Sequence, residues 1–99
     1  MPKTVLIVAI SMLGTLTLLH ADGAKLYREC AKCHGTHGEK STFSRPIGGW
    51  HKSELVEALQ GYRSGKRNLR GQGSIMRQRV ADFSDAQIDA VAAYVSGLK

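Results

Sequence analysis

The sequence predicts an all-α fold: a small domain of three main helices joined by long loops. Three observations predict it. Three segments combine a capping residue with apolar residues at helical spacing, and no stretch shows the apolar–polar alternation of a strand. The remainder falls into two glycine-bearing stretches, residues 35–49 and 64–74, that are too long to be tight turns.

The first helix is expected to begin near Gly23, capped by Asp22, and to run into a pair of cysteines. Leu26 stands four positions before Cys30 and Tyr27 three before it, so the three share a face. For the second helix Ser53 is the expected cap, with Glu54 and Glu57 at the end where the helix dipole favours acids. Leu55, Ala58, Leu59 and Tyr62 then form one apolar stripe at i, i+3, i+4 and i+7. The third helix has the fullest signature. Ser84-Asp85-Ala86-Gln87 reads as a capping box, and Phe83 with Ile88 as its hydrophobic staple. Ile88, Val91, Ala92 and Val95 make its buried stripe, and Gly97 suits its end.

The start of the chain has a different character. Lys3 precedes an uncharged run, residues 5–19, that is short for a membrane span of about 20 residues. A basic start, a short apolar run and the small Ala21 describe a secretory signal peptide over residues 1–21, an uncleaved anchor being the alternative. Residues 22–99 are then the folded domain. Cleavage after Ala21 leaves 78 residues, too few to build a sufficient core from side chains alone without a staple. Only Cys30 and Cys33 are present, and a disulfide across so short a loop constrains little. A large apolar cofactor at the centre answers the same need. From residue 22 onward 13 Lys and Arg face 8 Asp and Glu, a net +5 with histidine neutral. The basic residues are spread out and follow an export signal, so an acidic protein partner or an anionic membrane surface is expected rather than nucleic acid. Insertion into a membrane is expected only through an uncleaved leader.

Cys30-Ala31-Lys32-Cys33-His34 is C-x-x-C-H, the attachment signature of c-type haem. In a helical turn both sulfurs share a face and can reach one edge of a porphyrin, and His34 follows at once to meet the iron. A structural zinc site requires four protein ligands, and no second cysteine pair exists. A thioredoxin-like dithiol requires a βαβ setting that the sequence lacks. The iron then needs a sixth ligand or an open face. Met76 is the one methionine beyond residue 21, in a segment of polar neighbours (Ser74, Arg77 and Gln78) where core filling is a poor explanation. His/Met pairing is usual for cytochromes c, so Met76 is preferred over His51, its main rival, and over His37.

These features, in order, resemble the class I cytochromes c, most closely the short monohaem forms of the bacterial periplasm. Leu26-Tyr27 precedes the haem motif and Gly35. Pro46 lies 12 positions after His34, and the stretch from Tyr62 through Arg67 is similar to the family's Y-R-x-G-x-R. Met76 follows, and Tyr94 stands where the family keeps an aromatic in its last helix. The resemblance implies one haem c bonded to Cys30 and Cys33, with iron between His34 and Met76. It implies that the Pro46 carbonyl orients the His34 ring, that Tyr94 packs on Leu26 or Tyr27, and that Arg45, Trp50, Tyr62 and Arg67 hold the haem propionates. The implied function is a monomeric periplasmic carrier of single electrons between redox proteins, not an enzyme. The other classes are a haem sensor, gas binder or peroxidase-like protein with an open distal face, or a haem subunit of a larger dehydrogenase. Lys66, Arg67, Arg70, Arg77 and Arg79 lie within 14 residues that contain no acid. They are expected to rim the haem edge and to meet an acidic docking patch on a partner.

Overall fold

The chain, as a computed structural model, is described at residues 21–40, 45–68, 71 and 73–99. The expected leader lies outside these residues except for Ala21. Four helices and no strand form among the described residues.

Helix α1 spans Gly23–His34. Asp22 caps it as the sequence predicts, its carboxylate accepting from the Lys25 N–H at 3.2 Å. Gly35 ends it at φ 86°, a conformation easy for glycine and strained for other residues, and donates its N–H to the Ala31 carbonyl at 2.8 Å. The cysteine pair and His34 therefore occupy the last turn of a helix with a sharp stop.

Helix α2 spans Lys52–Ser64 and starts earlier than expected. His51, not Ser53, is its cap, and the His51 side chain makes no capping bond. The ladder already begins with the Leu55 N–H donating to the His51 carbonyl at 3.1 Å. Lys52 reaches across to Asp89 of the last helix at 2.9 Å, so a tertiary ion pair rather than a local cap accompanies the extra residue. Gly65 closes α2 in the left-handed region at φ 82°.

Helix α3, Gly73–Val80, was not expected: the sequence here reads as loop. Ile75, Met76 and Val80 are too few for a stripe, and glycine is a poor helix former by about 1 kcal/mol. Tertiary contacts make up the difference. The Gly73 N–H donates to Asn68 Oδ1 at 2.8 Å, and Val80 is only 1% exposed. Glycine is also the residue that fits, because a side chain at position 73 would press on the Arg67 carbonyl and on Asn68.

Helix α4 spans Asp85–Ser96. Its capping box is complete: Gln87 N–H donates to Ser84 Oγ at 3.1 Å, and Ser84 N–H donates to Gln87 Oε1 at 2.8 Å. Gly97 stands at the end as expected, but at φ −88°, where any residue would serve.

Helix α4 packs against both α1 and α2, and α3 packs on α2. Tyr27, Leu55, Val91, Ala92 and Val95 form the buried core, with Ile88 wholly enclosed. Tyr94 meets Tyr27 as expected, ring centroids 5.5 Å apart and planes tilted by 44°. The Tyr27 hydroxyl donates to the Gly35 carbonyl at 2.7 Å, and burial pushes its pKa up to about 12. At the head of the same crossing a Cβ on Gly23 would run into the Ala90 carbonyl and crowd the Tyr94 Cβ. Gly23→Ala is therefore expected to destabilise the protein by about 1–3 kcal/mol despite the better helix propensity of alanine. Denaturant unfolding followed by circular dichroism checks this; an unchanged or higher midpoint would mean that the helices can part at no cost. No helix among the described residues is long and apolar enough to cross a membrane.

Candidate haem site

The helices and the segment at 45–50 border a partly open cavity of about 820 Å³, within the range typical of cofactor pockets. Cys30, Cys33 and His34 line it from α1, and Met76 lines it from α3. The α2 stripe that reads as core packing, Leu55, Ala58, Leu59 and Tyr62, also faces this space. Its sequence signal is the same either way, because a helix that faces an apolar cofactor needs the same stripe as one that faces apolar side chains.

The attachment motif is prepared by its surroundings. Burial pushes the Cys30 thiol above its ordinary pKa, while Cys33 lies open at the surface. Burial also holds His34 below the usual imidazole range, which favours the neutral ring that a metal requires. Beyond His34 the chain doubles back. The Gly38 carbonyl accepts from the Ile47 N–H at 2.8 Å and the Gly48 N–H at 3.1 Å, closing the loop that brings Ile47 and Trp50 to the cavity wall.

Of the three arginines that line the same cavity, two are stacked on an aromatic ring. The Arg45 guanidinium lies 4.8 Å from the centre of the Trp50 ring, and that of Arg67 lies 5.3 Å from the centre of Tyr62. Arg67 Nε is buried and has no hydrogen-bond partner among the described residues. A buried donor left in that state costs about 1–3 kcal/mol, and an anionic acceptor entering the cavity would remove the cost. Haem brings two carboxylates, so apolar walls, paired thiols, an imidazole, a thioether and this orphaned donor fit that group together.

Four of the five residues expected around the haem besides the ligands line the cavity: Arg45, Trp50, Tyr62 and Arg67. Pro46 does not. It is exposed, although Arg45 and Ile47 on either side reach the wall. His51 and His37, the rival ligands, are exposed and outside the lining, His51 as the cap of α2 and His37 beside Thr36 and Glu39. The sequence carries no local signal for Phe83 and Val80 as cavity wall, nor for Ile75, an apolar residue 51% exposed that lines the cavity and precedes Met76. Arg70 falls outside the described residues.

A helical protein with a C-x-x-C-H turn set into the wall of an apolar cavity is, by class, a c-type haem protein. The chain belongs to the cytochrome c family, which it matches over residues 20–99. It is similar to cytochrome c-553 of Nitratidesulfovibrio vulgaris, 33% identical over 87 residues that cover 86% of this chain and 84% of that one. Cytochrome c4 of Azotobacter vinelandii is 33% identical over 72 residues, 70% of this chain. Cytochrome c-552 of Thermus thermophilus is 38% identical over 50 residues, 50% of this chain. The matches span only 34% of each of the latter two proteins. The fold is the all-α class I cytochrome c fold, with covalently bound haem c as its cofactor and electron transfer as its work.

Proposed function

We propose that this chain is a periplasmic carrier that passes single electrons between redox proteins and catalyses no reaction of its own. The observation that carries the reading is that one cavity is lined by both cysteines, by His34 and by Met76, the last from a different helix. Cys30 and Cys33 form the thioethers, His34 is the proximal ligand and Met76 the distal one. Bound there, haem supplies a reversible change between ferric and ferrous iron. Ligands on both faces leave no open position for a gas or peroxide, which sets the carrier apart from a sensor or peroxidase. The residues of this chain do the rest. Leu55, Leu59 and Phe83 exclude water from the iron, and thioether ligation together with that burial raises the potential. Arg67 Nε and Arg45 hold the propionates, each kept in place by its aromatic neighbour. The leader composition of residues 1–21 supports export and the mature domain 22–99, and the protein acts as a monomer.

The exposed Arg79 lines the cavity, so it stands beside the haem edge where an electron leaves. With Lys66 and Arg77, also exposed, it makes a basic approach for an acidic redox partner. Oxidation of the reduced holoprotein by anionic ferricyanide is expected to slow as ionic strength rises from about 0.01 to 0.15 M, where the screening length falls from about 30 to 8 Å. A cationic cobalt complex should show the opposite trend, and Arg79→Glu should slow the first reagent and speed the second. Rates indifferent to salt and to Arg79→Glu would remove the docking reading. Rapid carbon monoxide binding by the reduced protein would remove the carrier reading itself.

A further inference from the structure

The helix that carries Met76 has one main packing partner. Helix α3 packs on α2, and its own sequence is weakly helical. At its start the Gly73 N–H is held by Asn68. At its end the chain turns through residues 81–84 into α4, and the Phe83 N–H donates to the Val80 carbonyl at 3.0 Å. One side chain from α2 reaches this turn. Arg63 Nη1 donates to the Phe83 carbonyl at 2.8 Å, and Arg63 Nη2 donates to Asp85 Oδ1 at 2.7 Å.

We propose that Arg63 is a positioning residue for the distal ligand: its two-pronged grip on the turn after α3 sets where the Met76 sulfur sits in the cavity. This rests on the reading of Met76 as a ligand. Asp85 is the first residue of α4, whose start the Ser84–Gln87 box already closes without Arg63, so the contact that bears on α3 is the one to the Phe83 carbonyl in the turn between the two helices. Val80 and Phe83, on either side of the held segment, both wall the cavity, so movement of this turn moves the wall and the ligand helix together. The planar guanidinium can serve a carbonyl and a carboxylate at once, and an ammonium cannot span both in the same geometry. The rest of α2 anchors Arg63: it lies in the last turn, where a cation also suits the helix dipole.

The test uses holoprotein and two readouts on the same denaturant series. Sulfur on ferric iron gives a weak far-red absorption band, and circular dichroism reports helix content. In the unaltered protein the separation between the two midpoints is the reference. In Arg63→Met that separation should widen, the band vanishing at denaturant concentrations where helix content is still native, with loss of the sulfur–iron bond favoured about tenfold, as expected for a charged hydrogen-bond donor removed. Arg63→Lys should recover part of the difference. Asp85→Asn, which keeps the Phe83 carbonyl contact, should recover most of it. A separation no wider than the reference in Arg63→Met would make Arg63 an ordinary stabilising residue and overturn the proposal. A different failure is read first: if the unaltered protein lacks the band, or Met76→Ala retains it, the ligand reading falls and Arg63 loses its role with it.

Discussion

Replacing Met76 with alanine abolishes the far-red band of the oxidised protein and lowers its reduction potential, while His51→Ala leaves both unchanged. That is the expected result, and its basis is positional. Met76 lines the cavity from α3, whereas His51 caps α2 in solvent with its side chain outside the lining. A thioether on iron favours the ferrous state, and axial ligands as a whole span roughly 0.8 V of potential. Losing the sulfur to water or to a nitrogen donor therefore moves the potential far more than any change at the rim. Spectroelectrochemical titration of both variants checks it. Persistence of the band in Met76→Ala, with its loss in His51→Ala, would reverse the assignment.

Cys30→Ser combined with Cys33→Ser, or expression without haem attachment, is expected to give a largely unfolded chain. The reason is the size of the space the cofactor occupies. Without haem, solvent fills this space of about 820 Å³ and wets the apolar stripe of α2 that faces it, which forfeits about 25 cal/mol for each Å² of apolar surface left uncovered. A domain of this kind has about 5–15 kcal/mol of stability in total, so that loss weighs heavily. The α1–α4 crossing and the α2–α4 contact leave little side-chain core in a domain this small. Far-ultraviolet circular dichroism of the apo form checks this, and a native helix content there would show that the side-chain core is self-sufficient.

Much of this was legible in the sequence where the determinants are local. Asp22 lies three positions from the N–H it caps, and Ser84 and Gln87 close their box within one turn, so α1 and α4 declare their starts without reference to the rest of the chain. Cys30, Cys33 and His34 are bound to one helical turn by spacing alone. The second helix is legible in its stripe, but its start is not. The Ser53 signal was present in the sequence, yet the ladder begins at His51 with Lys52 engaged to a residue more than thirty positions away.

By itself the sequence determined the chemical groups on offer: two thiols spaced to bond a porphyrin, the imidazole that follows them, and a single methionine beyond residue 21. These are properties of residue type and short spacing. It determined the helical class too, because capping and periodicity act within a few residues. Only the tertiary structure decided that residues 73–80 are helical, since Asn68 and the packing of Val80 supply what a glycine-led segment lacks. The structure also decided that the α2 stripe faces a cavity, and that Arg67 lines it with a buried Nε that has no hydrogen-bond partner among the described residues. Contacts such as Arg63 to Phe83, 20 positions apart, form only once the chain has closed, and no local pattern encodes the partner of a side chain that reaches across the fold.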